Sequence, residues 1–109
     1  MTNSIREIAE GEQEQGADEE VTYTLTVPTT WGTPAAPLTV KAYSVNESTD
    51  ALTDVTSTVM PTGSGSIASQ VITLPEMKSL TAAVLYRVEV KFATGTDVKE
   101  AFAYVRCTL

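Results

Sequence analysis

The chain has 109 residues, the size of one domain, and 42% of them are hydrophobic, as in an ordinary folded protein. It contains no histidine, which excludes every mechanism that needs a histidine base, metal ligand or catalytic triad. Its net charge is −7 and its few bases are scattered, so we expect no nucleic-acid partner.

The first twenty residues carry seven acids against one base, and their only large aliphatic side chains are Ile5 and Ile8. Two isoleucines do not offset the entropy of ordering such a segment. We therefore predict a flexible acidic arm over residues 1–20 and a folded domain over 21–109. Ser4 and Glu7 form a capping box, which predicts a short helix from about Ile5 when a partner holds the arm. Ile5 and Ile8 are then its candidate anchors.

Period-two alternation of apolar and polar residues predicts strands through the rest of the chain. The proline-rich segment Pro28–Pro37 is expected to be a connection, and no segment predicts a helix convincingly. Eighteen threonines agree with a β-rich protein. The predicted strands cover residues 21–27, 38–45, 53–60, 67–74, 85–92 and 98–107. Their short, regular spacing is typical of a β-sandwich or a small barrel.

Two places in the domain are candidates for interaction. Trp31, the only tryptophan, lies in the proline-rich connection and either covers an open end of the sandwich or anchors a partner. The last strand is apolar on both faces, with Phe102 and Tyr104 on one of them. Only one face can fill the core, so the other is left for a neighbour or a covering loop.

The sequence gives no basis for catalysis or for a cofactor. The acidic turn residues lack the spacing of a calcium loop, and no serine or lysine has a neighbour in sequence that would activate it. Cys107 has no cysteine to pair with, and we expect a buried thiol. Without a candidate catalytic group we expect a protein that is not an enzyme. No secretory or membrane-spanning segment is apparent, so we expect it to be made in a cytoplasm.

The segment from Leu80 to Val90 carries the most specific pattern. Leu80 precedes Tyr86 by six residues, and Tyr86 opens an alternating strand. This resembles the tyrosine corner of immunoglobulin and fibronectin type III domains. The resemblance implies an antiparallel sandwich of six to seven strands, in which Leu80 plugs the core and Tyr86 bonds back to the preceding loop. Ala82 and Val84 depart from the proline and threonine often found in fibronectin domains.

From about Val21 onwards the chain also resembles small virion proteins of tailed bacteriophages. The resemblance rests on short motifs: Asp54-Val-Thr, Pro61-Thr-Gly-Ser and Tyr86-Arg-Val-Glu-Val. It implies a head-associated structural protein, such as a capsid decoration or a head–tail connector, in several copies. We expect it to attach through its N-terminal arm, through an edge strand of the sandwich, or through both. Its partners would be capsid, portal or tail proteins, and it would be made in the bacterial cytoplasm. The alternative is a surface-displayed module that binds a host glycan or protein.

Overall fold

The computed structural model describes residues 5–7, 12–63 and 65–108. Besides a 3-10 helix over Thr29–Trp31, this part of the chain contains nine strands and one short α-helix. In chain order they are β1 (Ile5–Glu7), β2 (Gln13–Gln15), β3 (Thr24–Thr26), β4 (Ala35–Asn46), β5 (Ala51–Asp54), α1 (Thr56–Val59), β6 (Ser66–Ala68), β7 (Val71–Thr73), β8 (Leu85–Thr94) and β9 (Asp97–Cys107). None of the described helices is long and apolar enough to cross a membrane.

The strands form two sheets that share one core. The larger sheet has the order β1–β9–β8–β4–β5, with β2 also paired to β9, and the smaller sheet has the order β3–β7–β6. Leu25 and Ile72 from the smaller sheet lie in the same buried cluster as Ala42, Val90 and Phe92 from the larger one. The protein is therefore an all-β fold with two packed layers, as the strand spacing predicts.

The hairpin of β8 and β9 is the centre of the larger sheet. The two strands pair in register from Leu85 with Arg106 to Thr94 with Asp97. On β8 the buried residues alternate with half-buried or exposed ones, because Tyr86, Val88, Val90 and Phe92 point into the core. Both strands agree with their predicted ranges to within two residues, although only β8 has a clear period of two and β9 is apolar on both faces.

The predicted strand over 53–60 is wrong in its second half, which forms α1. Asp54 ends β5 and its carboxylate accepts hydrogen bonds from the backbone N–H of Thr56 (2.9 Å) and from the Thr56 hydroxyl (2.7 Å). This local turn competes with strand pairing. The Thr56 hydroxyl also accepts a hydrogen bond from the N–H of Ala42 at 2.9 Å, which fixes the helix against β4.

The predicted strand over 67–74 is two strands, β6 and β7, joined by a two-residue turn. Ser69 takes the left-handed conformation in this turn, with φ of 53°. The chain therefore folds back on itself, and Ile67 pairs with Ile72. The connection predicted over 28–37 is also shorter than expected, because β4 begins at Ala35 and its register shifts before Leu38.

The N-terminal segment differs most from its prediction. The backbone of Ile5–Glu7 forms β1, a strand parallel to β9, whereas the sequence predicts a flexible arm with a short helix only when a partner holds it. Gln13–Gln15 form β2, which pairs with residues 105–107 of the same strand. The sandwich therefore includes residues that precede the predicted boundary at Val21. The edge of β9 explains the choice of strand, because it offers unpaired hydrogen-bonding groups to an extended chain. Whether residues 1–20 are flexible stays a prediction.

Tyr86 makes the contact that defines a tyrosine corner. Its hydroxyl accepts a hydrogen bond from the backbone N–H of Thr81 at 2.8 Å, and its ring is 3% exposed. Leu80 lies beside this bond and is 5% exposed. The loop from Ser79 to Ala83 is held in a conformation with positive φ at both of these residues. The corner thus connects this loop to the start of β8.

Candidate interaction surface

The outward side of the larger sheet carries a continuous group of aromatic and aliphatic side chains. Cross-strand partners share a face, so the register places Tyr43, Arg87 and Tyr104 in one row across β4, β8 and β9. The neighbouring rows add Phe102 on one side and Leu52, Val45 and Leu85 on the other. We call these seven residues the aromatic face: Tyr43, Val45, Leu52, Leu85, Arg87, Phe102 and Tyr104.

Arg87 lies at the centre of the aromatic face. Its guanidinium carbon is 4.1 Å from the centroid of the Phe102 ring, which is cation–π geometry. The Phe102 and Tyr104 rings meet edge to face, with centroids 5.6 Å apart and an angle of 82° between planes. The Nε atom of Arg87 is shielded from water and lies 2.9 Å from a Glu89 carboxylate oxygen. The sheet therefore holds the cation and the two rings in one arrangement.

Charged residues surround the aromatic face and are paired with one another. Lys41 lies 3.8 Å from Asp54 at one side. At the other side Arg106 binds Glu47 through two bonds, of 3.0 and 2.9 Å, and Glu12 through one of 3.2 Å. Burial, and then the nearby carboxylates of Glu89 and Asp54, raise the pKa of Tyr43, so this phenol stays neutral. The border of the face is polar but carries little unpaired charge.

The Arg106 pairs predict a measurable titration at this border. Hydrogen bonds from Arg106 lower the pKa of Glu47 below its usual 4.5. A lowered folded-state pKa stabilises the fold above the unfolded-state value, and this contribution is lost as the pH falls through the folded-state value. We expect the Glu47 carboxyl carbon in an NMR titration to have its midpoint below pH 4.5, and Arg106→Gln to move it up. An unchanged midpoint in that variant would show that the bidentate pair is absent in solution.

The structure separates the residues that the sequence singles out for interaction. Phe102 and Tyr104 lie together on the aromatic face, whereas Trp31 lies elsewhere, in a 3-10 turn over Thr29–Trp31. The Trp31 ring is half-buried and stacks on Phe92, with centroids 6.5 Å apart and 16° between planes. Ile5 belongs to β1 and pairs with Glu100, and Ile8 lies outside the described residues. Trp31 thus occupies the place of a ring that covers the core.

Sequence reasoning missed the other members of the aromatic face. Tyr43 and Arg87 come from different strands, and only the register brings them beside Tyr104. Their outward position was visible in the alternation of β4 and β8, but the row they form depends on which strands are neighbours. Leu52 was also missed, although it is the only large hydrophobic side chain that is exposed among the described residues, at 43%.

The described residues offer no candidate site for a metal ion. No group of three or more acidic or cysteine side chains there has the arrangement of a metal site. A shallow depression of about 220 Å³ adjoins the aromatic face and is lined by two lysines and two glutamates, together with other residues. These opposite charges offset each other, so the depression favours neither an anion nor a cation.

The chain was compared with family models, with curated proteins and with solved structures, and none of the three comparisons gives a match.

Proposed function

We propose that this chain is a non-enzymatic structural protein of a tailed-phage virion that attaches to another protein of the particle through the aromatic face. The observation that carries the proposal is the Tyr43–Arg87–Tyr104 row with Phe102 beside it. Tyrosine, phenylalanine and arginine are enriched at the centres of protein interfaces, and binding energy concentrates in such residues. The virion assignment rests on the resemblance of the sequence motifs.

The charge arrangement favours a neutral protein surface as the partner. The charges at the border are paired within the chain, as in Lys41–Asp54 and Arg106–Glu47. The one cation inside the aromatic face, Arg87, is also paired, with Glu89 at 2.9 Å. A partner that docks on this face then has few unpaired charges to neutralise, so attachment should depend little on salt. In the particle the partner would be a capsid, portal or tail protein, and many copies would be present, as decoration or connector proteins require.

The finer fold that we propose is immunoglobulin- or fibronectin-like. The order β3–β7–β6 matches strands B, E and D of such a sandwich, and β9–β8–β4 matches G, F and C. In this assignment β5 takes the place of the additional strand C′, and the tyrosine corner lies at the start of strand F, as expected. Both features support the proposal independently, because one concerns strand order and the other a side-chain contact.

The attachment is tested with the double variant Phe102→Ala/Tyr104→Ala. The measured quantity is the incorporation of this variant into particles, which are assembled from the structural proteins that neighbouring genes encode. Two interface hot-spot residues contribute at least about 2 kcal/mol, so we expect incorporation affinity to fall by about thirtyfold or more. Both rings lie outside the core, and chemical denaturation will verify that the variant still folds.

The matched control is Lys91→Ala, an exposed residue that shares the outward side of β8 but lies outside the aromatic face. It should be incorporated like the wild type. Equal incorporation of the double variant and the wild type would refute attachment through this face. If the double variant is incorporated normally but reproducible sugar binding on a glycan array disappears, the surface is instead that of a glycan-binding module.

A further inference from the structure

The depression of about 220 Å³ beside the aromatic face has a main-chain floor and polar walls. Val90 and Ala101 line its floor, and they are cross-strand partners in β8 and β9. Their side chains are 1% and 0% exposed, so the residues present the backbone of the sheet to the depression. The walls are formed by six residues: Thr39, Lys41, Tyr43, Glu89, Lys91 and Glu100. The sheet therefore fixes the shape of the floor, and the side chains of the walls decide what binds.

The four charged residues of the walls are two cations and two anions. Lys41 is the cross-strand partner of Glu89, and Lys91 is the partner of Glu100. Their formal charges sum to zero, and each sign occurs on both sides of the depression. A charged ligand would meet attraction and repulsion together, so the electrostatics favour a neutral ligand.

The walls also combine donors and acceptors of hydrogen bonds. Lysine ammonium groups only donate, glutamate carboxylates only accept, and the hydroxyls of Thr39 and Tyr43 do both. The Glu89 carboxylate is held in place because its Oε2 atom lies 2.9 Å from Nε of Arg87. A neutral ligand that matches these walls needs several groups that both donate and accept. Neighbouring hydroxyls on one small molecule have this property.

Tyr43 gives the depression an apolar side next to these polar groups. Its ring is half-buried and belongs to both the depression and the aromatic face. A hexose has the matching character, since hydroxyls surround its edge and C–H groups form its faces. The depression is smaller than the roughly 300–1,000 Å³ of pockets that enclose drug-sized ligands, so it accommodates a single ring.

We propose that this depression binds one neutral hexose unit of a glycan or polysaccharide. The charged side chains bond the hydroxyls of the ring, and Tyr43 packs against one of its C–H faces. The site is shallow and open to water, so the expected Kd for a single sugar is on the order of 1 mM. This site is separate from the proposed attachment to a particle and does not depend on it.

The proposal is tested with the purified full-length chain in NMR titrations. The probes are the methyl glycosides of glucose, galactose, mannose and N-acetylglucosamine. We expect at least one of them to shift the amide signals of Val90, Lys91 and Ala101 more than those of the smaller sheet. The uronic acid and the amino sugar of the same ring each carry a charge, and they should bind no more tightly than the neutral sugar. N-methylacetamide, a neutral mimic of the peptide group, is titrated in parallel.

Three results would overturn the proposal. The first is that none of the four glycosides shifts these signals; shifts caused by N-methylacetamide alone would assign the depression to a protein contact. The second is that the shifts are confined to other parts of the chain. The third is that a charged sugar binds at least about tenfold more tightly than the neutral one, which would indicate an ion site.

The variant Lys91→Ala/Glu100→Ala removes one donor and one acceptor from the walls and leaves the net charge unchanged. We expect the Kd for the bound glycoside to rise by at least about tenfold. The matched control is Glu76→Ala/Lys78→Ala, which removes the same two charges from the connection between β7 and β8, outside the depression. It should bind like the wild type, and equal binding by both variants would contradict the proposal. Both variants should be incorporated into particles normally, so the sugar site and the attachment through the aromatic face are tested separately.

Discussion

Replacing Leu80 with alanine is expected to lower the free energy of unfolding by about 2–5 kcal/mol, because the leucine is 5% exposed and its removal leaves a cavity in the core. Tyr86→Phe is expected to cost about 1–3 kcal/mol, since the N–H of Thr81 loses the acceptor that it has at 2.8 Å. Chemical denaturation of both variants measures these losses. The two residues are adjacent in space, so the double variant should not show the sum of the single effects.

The matched control for this prediction is Leu52→Ala. It makes the same chemical change at a leucine that is 43% exposed, so the loss should remain below about 1 kcal/mol. If Leu80→Ala and Leu52→Ala had the same midpoint of denaturation, the leucine would not be part of a packed corner. If Tyr86→Phe had the wild-type midpoint, the hydrogen bond to Thr81 would contribute nothing to the fold.

The strands that could be predicted from the sequence are those with a buried face of their own. In β8 the residues Tyr86, Val88, Val90 and Phe92 all point into the core, and the alternation appears directly in the sequence. In β4 the alternation of Leu38, Val40 and Ala42 with polar residues predicts most of the strand in the same way. Apolar residues recur with a period of two because one side of a strand is buried. The period therefore predicts a strand correctly where this burial decides the conformation of the chain.

The errors occur where local hydrogen bonds or pairing partners decide the conformation. Residues 53–60 are rich in threonine and valine, which favour a strand. The bond that Thr56 donates to Asp54 and the one that it accepts from the N–H of Ala42 nevertheless stabilise α1. The turn at Ser69 has neither glycine nor asparagine to mark it. Neither the hydrogen bonds of Thr56 nor the turn at Ser69 changes the pattern of apolar and polar residues. This pattern alone therefore predicts one long strand in each place.

The residues of the aromatic face also divide into those that the sequence pattern predicts and those that it does not. Phe102 and Tyr104 could be predicted as an outward pair, because the last strand is apolar on both faces. The row that they form with Arg87 and Tyr43 depends on the order of the strands, which a single sequence does not encode in any short motif. The covering of β9 was missed for a different reason: β1 and β2 gain main-chain hydrogen bonds, which any sequence can make.

Gln15 is the residue of this segment whose replacement should have the largest effect. Its amide is 1% exposed and makes three hydrogen bonds, which join β2 to Met77, Glu19 and Tyr23. Gln15→Ala would leave these buried or half-buried groups without their partner. We expect a loss of about 2–3 kcal/mol in the free energy of unfolding. Hydrogen exchange at residues 13–15 and at Thr108 should accelerate, because the N–H of Thr108 is bonded to the Gln15 carbonyl.

The isosteric change Gln15→Glu tests the hydrogen bonds of the Gln15 side chain more sharply, because a carboxylate cannot donate to the carbonyls of Met77 and Glu19. We expect it to destabilise the fold at pH 7 at least as much as Gln15→Ala. Burial raises the folded-state pKa of such a carboxyl above its unfolded value of about 4.3, so stability is retained below that pH and lost as the pH rises through the folded-state value.

The matched control is Gln13→Glu, the same change on the same strand at a half-buried residue, which should lack this pH dependence. Equal pH profiles for the two variants would mean that Gln15 does not hold β2 in place.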